Sequence, residues 1–125
     1  MTFANQFAAE YPGEVAIQDE HQALSWEEVD DALNRCANGL QAADLGPDTR
    51  IAVFAENSVE TALANLGGLV AGASVVPVNF HLNAEEVAYI LSDSEARILF
   101  VGPETAECGI AAAAESNVHT VIGWG

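Results

Sequence analysis

The sequence predicts an α/β fold, a parallel sheet with helices on both faces, preceded by a small N-terminal β-hairpin. Three observations predict it. Short strand-like runs recur at 51–55, Ser74–Val78, 97–101 and 118–122, and Ser74–Val78 is almost wholly apolar, as a strand covered on both faces requires. Between them lie stretches with apolar residues at steps of three and four, the mark of amphipathic helices. Helix-start signals precede three of the helices: Ser25-Trp26-Glu27-Glu28, Asn57-Ser58-Val59-Glu60 and Asn83-Ala84-Glu85-Glu86. Each has a capping residue followed three positions later by glutamate. Strands alternating with helices imply parallel pairing and right-handed crossovers.

Taken in order, Phe3, Phe7 and Tyr11 recur every four residues, which predicts a short amphipathic helix that Gly13 breaks. The runs Val15–Gln18 and 22–24 flank Asp19-Glu20-His21 as a hairpin. The Ser25 cap opens a helix with Trp26, Val29, Leu33, Ala37 and Leu40 on one face, ending near Asp44. Gly46-Pro47 is a turn signal. After the strand at 51–55, the Asn57 cap opens a helix with Leu63, Leu66 and Leu69 or Val70 inward. Gly67 and Gly68 weaken that helix by about 1 kcal/mol each relative to alanine, so they imply close packing there. Gly72 sits where a helix end needs positive φ. Pro77 cannot donate a ladder hydrogen bond and marks an edge or a strand end. The Asn83 cap opens a helix with Val87, Ile90 and Leu91 inward. Gly102-Pro103 begins an alanine-rich helix ending near Glu115, and the last strand follows.

Charge excludes several functions. The chain has 19 acidic residues against three basic ones, no lysine, and a formal net charge of −16. Direct nucleic-acid binding needs a basic surface and is excluded; adsorption to anionic membranes is disfavoured likewise. The acidity reads as a solvated surface, with adaptation to high salt as the sharper alternative. No apolar run approaches the ~20 residues of a membrane span. The N-terminus shows no secretory pattern, so the expected location is the cytoplasm. Cys36 and Cys108 stand alone rather than in a CxxC pair, which predicts reduced thiols and no zinc site.

Chemistry is sparse. Without lysine there is no GxxxxGK[ST] phosphate loop and no Schiff base. The glycines at 67, 68 and 72 end a helix where a GxGxxG motif would open one. Adjacent carboxylates such as Glu27/Glu28 and Asp30/Asp31 point apart on a helix, so they form no acid–base dyad. His21 falls in a turn and His119 in the last strand. No complete catalytic set and no metal site emerges. Asn79, Phe80 and His81 leave the C-terminal end of a strand, where open parallel sheets place their crevices. For Phe80 the alternative is packing beneath the next helix, and for His81 a structural place in the loop without chemistry.

Four segments in order resemble the N-terminal region of the adenylate-forming superfamily, which includes acyl-CoA synthetases, luciferases and peptide-synthetase adenylation domains. Leu24-Ser25-Trp26-Glu27-Glu28-Val29 is similar to its first core motif. Arg50-Ile51-Ala52-Val53 with Glu56-Asn57-Ser58 matches the next strand and helix start. The segment from Leu69 to Asn79 is similar to its second core motif, and the ending Pro-Val-Asn favours the acyl-CoA synthetase branch. Ala84 to Ser94 follows the fatty-acid CoA ligase pattern. Asp48-Thr49 and Glu95 depart from it, the latter where glycine is common.

The resemblance implies that residues 1–125 form a single, incomplete N-terminal subdomain of an AMP-forming acyl-CoA synthetase. Such enzymes turn a fatty acid, ATP and CoA into acyl-CoA, AMP and pyrophosphate. The phosphate loop, ribose-binding aspartate and catalytic lysine of the family lie downstream of the matched region. The chain is therefore expected to be inactive alone and to bind no cofactor by itself, with ATP, Mg2+ and CoA belonging to the whole enzyme. Asn79, Phe80 and His81 are its implied CoA-facing loop. Its implied partners are the carboxylic acid substrate of the parent, and the remainder of that enzyme or a second copy, met through an exposed apolar face. The alternatives are a freestanding α/β binding or partner-subunit module without catalysis, and a flavodoxin-like nucleotide-binding domain.

Overall fold

A computed structural model describes residues 3–43 and 48–125. The elements run α1 (Phe3–Glu10), β1 (Val15–Gln18), β2 (Ala23–Ser25), α2 (Trp26–Ala42), β3 (Arg50–Phe54), α3 (Val59–Val70), β4 (Ser74–Val78), α4 (Ala84–Ser94), β5 (Ile98–Val101), α5 (Ala106–Ala114) and β6 (Thr120–Gly123). They fall into two compact units. One holds α1, β1, β2, α2 and α3; the other holds β3 to β6 with α4 and α5.

In the first unit β1 and β2 pair antiparallel. Ser25 ends β2 and caps α2: its Oγ accepts the Glu28 amide at 3.2 Å, and Glu28 Oε1 accepts the Ser25 amide at 2.9 Å. That bond from the Ser25 amide is the chief reason the Glu28 carboxyl sits below its ordinary value. Val29, Leu33, Ala37 and Leu40 are buried along α2. Ala4, Val29 and Leu33 form a centre, with Leu24, Trp26, Leu63 and Leu66 packed against it. Phe7 stacks on Trp26, ring centroids 4.8 Å apart, whereas Tyr11 lies beyond α1 and is exposed. Asp44 and the Gly46-Pro47 turn signal lie outside the described residues.

The start of α3 differs from the expectation. Asn57 is not its cap and Glu60 closes no capping box. Ser58 is the cap, its Oγ accepting the Thr61 amide at 3.1 Å. The Glu60 carboxylate accepts the Gln22 side chain instead. The orphan amide of Val59 donates to Asp19 Oδ2 at 2.8 Å, so the hairpin turn supplies the anion that a helix N-terminus favours. Asp19 also accepts the His21 and Gln22 amides. These bonds, that of Val59 first, hold its carboxyl below the usual value.

Of Leu69 and Val70, Leu69 is exposed and Val70 half-buried. The buried stripe of α3 is Val59, Ala64, Gly67 and Gly68, and Leu69 lies about 200° around the helix from Gly67. The close packing implied at Gly67 is present: an added Cβ there would come within 2.8 Å of Cys36 Cβ. Burial pushes the Cys36 thiol up. Gly72 follows α3 at φ +84°, outside the range favoured by residues with a Cβ.

In the second unit the strands are all parallel, in the order β4-β3-β5-β6. The register sets Val53 beside Pro77 on one side and Phe100 on the other. β5 and, from Ile51 onward, β3 are buried at every residue. The expectation that Ser74–Val78 is covered on both faces fails, because β4 is an outer strand and half-exposed, as is β6. Pro77 stands on an edge, where its missing N–H breaks no ladder. One sheet face carries Ala52, Phe54, Leu99 and Val101, packed with Val87 and Leu91 of α4 and Ala112 and Ala113 of α5. Gly109 permits that approach, since a Cβ there would lie 2.5 Å from Val101 Cγ1.

Asn83 and Glu86 form the expected capping box of α4. Glu95 ends that helix at φ 60°, ψ 32°. A left-handed residue with a Cβ costs about 1 kcal/mol, which explains the rarity of anything but glycine at such a position. His119 precedes β6 rather than lying in it, because its amide is taken by Arg97 O at 2.7 Å, ahead of the first ladder pair.

Candidate functional site

The segment after β4 is built from its own side chains. Val78 is buried and anchors the strand end. Asn79 Oδ1 accepts the His81 amide at 2.9 Å, and Asn79 O accepts the Leu82 amide at 3.2 Å. This local turn is an alternative to continuing the strand. It delivers the chain to Asn83, whose Oδ1 accepts the Glu86 amide at 2.9 Å. Phe80 and Leu82 pack, half-buried, against the unit's core. His81 is exposed, its ring 4.1 Å from that of Phe80 and tilted 39° to it.

The structure thus brings Asn79, Phe80 and His81 together, with unequal freedom. Asn79 is occupied with the turn and Phe80 has one face on the core. His81 presents an imidazole and an aromatic surface to solvent. Such a pair offers stacking for a planar ring and the two ring nitrogens of the imidazole for hydrogen bonding. No arginine lies in this segment, so it holds no guanidinium fork for a phosphate.

Strand order marks a second place. The chain leaves β3 for β4 on one side and returns to β5 on the other, so the order reverses between β3 and β5. Crevices form outside the carboxyl ends of strands at such a reversal. Here that end is filled by the chain itself. Glu104 Oε1 accepts the Glu56 amide at 2.8 Å. A Cβ on Gly102 would come within 2.6 Å of the same oxygen. The Thr105 hydroxyl, almost fully buried, donates to Phe54 O and accepts the Gly102 amide at 3.1 Å. Sequence reasoning passed over Glu104 and Thr105. The only signal was Gly102-Pro103 directly after an apolar run.

Elsewhere the titratable side chains are dispersed. His21 is exposed beside Glu20. Cys36 and Cys108 are both half-buried and free, in α2 and α5. Among the described residues no three His, Cys, Asp or Glu side chains could hold a metal ion, and no helix is long and apolar enough to cross a membrane.

Comparison with known proteins places this architecture. The family model described as AMP-binding enzyme matches residues 4–123. Tyrocidine synthase 3 of Brevibacillus parabrevis is 38% identical over 88 residues, which cover 70% of this chain and 1% of that protein. Fatty acid–[acyl-carrier-protein] ligase ScoC of Streptomyces coeruleorubidus is 37% identical over 93 residues, 74% of this chain and 18% of that one. Among solved structures, a Mycobacterium tuberculosis fatty acyl CoA synthetase superposes with a TM-score of 0.85 at 30% identity, over 97% of this chain and 25% of that one. The chain therefore spans a quarter or less of the length of these proteins.

Proposed function

Because the chain belongs to the AMP-binding enzyme family, we propose that it forms the N-terminal part of an AMP-forming acyl-CoA synthetase. In that reaction a fatty acid and ATP give an acyl-adenylate and pyrophosphate, and the CoA thiol then displaces AMP. The observation that carries this reading is the match, over nearly the whole chain, to a fatty acyl CoA synthetase at 30% identity. The chain contributes the α/β layer and no adenylating residue. With no lysine in 125 residues, it lacks the catalytic lysine that the resemblance implies. It is inactive alone; ATP, Mg2+ and CoA act in the complete enzyme, in the cytoplasm. Its partner is the rest of that enzyme or a second copy, and the exposed Leu69, Tyr89 and Ile110 motivate an apolar contact.

Within this reading Phe80 and His81 face the CoA nucleotide, with adenine stacked on the exposed imidazole. A second reading has a carrier-protein thiol as acceptor, and the identity to tyrocidine synthase 3 and the acyl-carrier-protein ligase favours it. Amide NMR of the chain separates the two. Saturable shifts at Asn79 and His81 with CoA, absent with 4′-phosphopantetheine and lost in His81→Ala, support the CoA reading. Equal shifts with both compounds favour the carrier protein. No shift with either removes this loop from the acceptor site.

A further inference from the structure

Two of the chain's three arginines stand at the amino end of the sheet. Arg50 begins β3 and Arg97 precedes β5, as neighbours across one ladder: the Arg97 amide donates to Arg50 O at 2.8 Å. Like charges on neighbouring strands repel. A chain with 19 carboxylates has ample means to neutralise them. Yet among the described residues neither forms an ion pair, whereas Arg35 on α2 pairs with Asp31 at 2.8 Å. Arg50 has a structural task, because its Nη1 donates to Ser94 O at the end of α4, at 2.8 Å. Such a bond satisfies a helix-terminal carbonyl.

Arg97 has no such task. Its Nη1 lies 3.1 Å from His119 Nε2. Guanidinium has donors only, so Nε2 is the acceptor and the imidazole carries its proton on Nδ1. Arg97 therefore orients a second donor and keeps most of its own N–H groups free of protein partners among the described residues. Both side chains line a cleft of about 550 Å³, with Ser92, Asn117 and Glu95 on its rim. The side chains of Ser92 and Asn117 add neutral donors. Ser116 also lines the cleft, but its hydroxyl is spent on Ala113 O at 2.9 Å.

We propose that the cleft at Arg97 and His119 binds a phosphate-type oxyanion. The guanidinium fork matches two oxygens of such an ion, and the imidazole, Ser92 and Asn117, which line the same cleft, supply donors for the others. The ion would also relieve the repulsion between Arg50 and Arg97. Glu95 opposes it and sets its affinity. The site lies at the opposite end of the strands from Asn79–His81 and is independent of the acyl-CoA reading.

The test is a titration of the 125-residue chain with inorganic phosphate, followed by side-chain NMR of Arg97 and His119. The proposal expects saturable shifts at both. Affinity should fall by about tenfold or more in Arg97→Gln, as loss of a charge-assisted fork requires, and rise severalfold in Glu95→Gln. Arg35→Gln, which removes an equal charge elsewhere, should leave binding unchanged. Absence of saturation to about 50 mM, far beyond the range of a charge-assisted site, overturns the proposal. So does an equal loss in Arg35→Gln and Arg97→Gln, which would mark general charge attraction.

Discussion

The two ends of the four-stranded sheet treat charge in opposite ways. At the carboxyl end Glu104 turns back onto the Glu56 amide, Thr105 onto Phe54 O, and Asn79 onto the His81 amide. At the amino end Arg50 takes one helix carbonyl, and among the described residues Arg97 takes only an imidazole nitrogen. A chain of net charge −16 thus uses carboxylate and hydroxyl oxygens on its own backbone at one end and leaves guanidinium unneutralised at the other. Side chains that satisfy backbone groups stabilise; side chains that are left with spare donors are available to a ligand. Alteration of the carboxyl end should therefore register in stability, and alteration of Arg97 in binding.

The largest effect removes the frame both ends share. Leu99 is fully buried on β5 among α4 and α5 residues. Leu99→Ala should cost about 2–5 kcal/mol, read as a lower urea midpoint at both ends together. Thr105→Val breaks only the carboxyl end. It strands Phe54 O and the Gly102 amide in a buried place, at a cost of about 1–3 kcal/mol; a change below ~0.5 kcal/mol in urea unfolding would show that those bonds are idle. Glu95→Gly sharpens the amino end. It relieves the left-handed strain and should raise stability by up to about 1 kcal/mol, measured as a higher melting temperature.

The smallest effect concerns Asp19, which receives backbone amides as Glu104 does. Its folded-state pKa is depressed, by the Val59 amide above all. Its contribution is therefore present in full above the unfolded pKa and vanishes as pH falls through the folded one. Asp19→Asn should lower stability at neutral pH and flatten its further loss below about pH 4, so that the two proteins converge in acid. Identical acid unfolding curves for the two proteins would contradict this.

What was legible in the sequence was local. The caps at Ser25 and Asn83 are closed by glutamates three residues away, so spacing alone revealed them. The start of α3 was misread because its outer carboxylate, Asp19, comes from 40 residues earlier. The alternation of strands and helices disclosed the parallel sheet. It could not say that β3 and β5 are central, because strand order is a tertiary property that an apolar run does not encode; only Pro77 hinted that β4 is an edge. Leu69 misled for a related reason: glycines carry the close-packed stripe of α3, and a periodicity count of large apolar residues passes over them. Asn79 to His81 was placed correctly after a strand end. The cleft at Arg97 and His119 was invisible, since 22 residues separate its two principal side chains.

We propose that this chain is one layer of an acid-activating enzyme and does not itself adenylate. Acid-dependent ATP–pyrophosphate exchange, measured on the purified 125-residue chain with a series of fatty acids and Mg2+, tests it most directly. The account predicts no exchange above the acid-free blank with any acid in the series. Exchange that rises with fatty acid concentration and saturates would contradict it, and would require the chain to activate an acid without lysine.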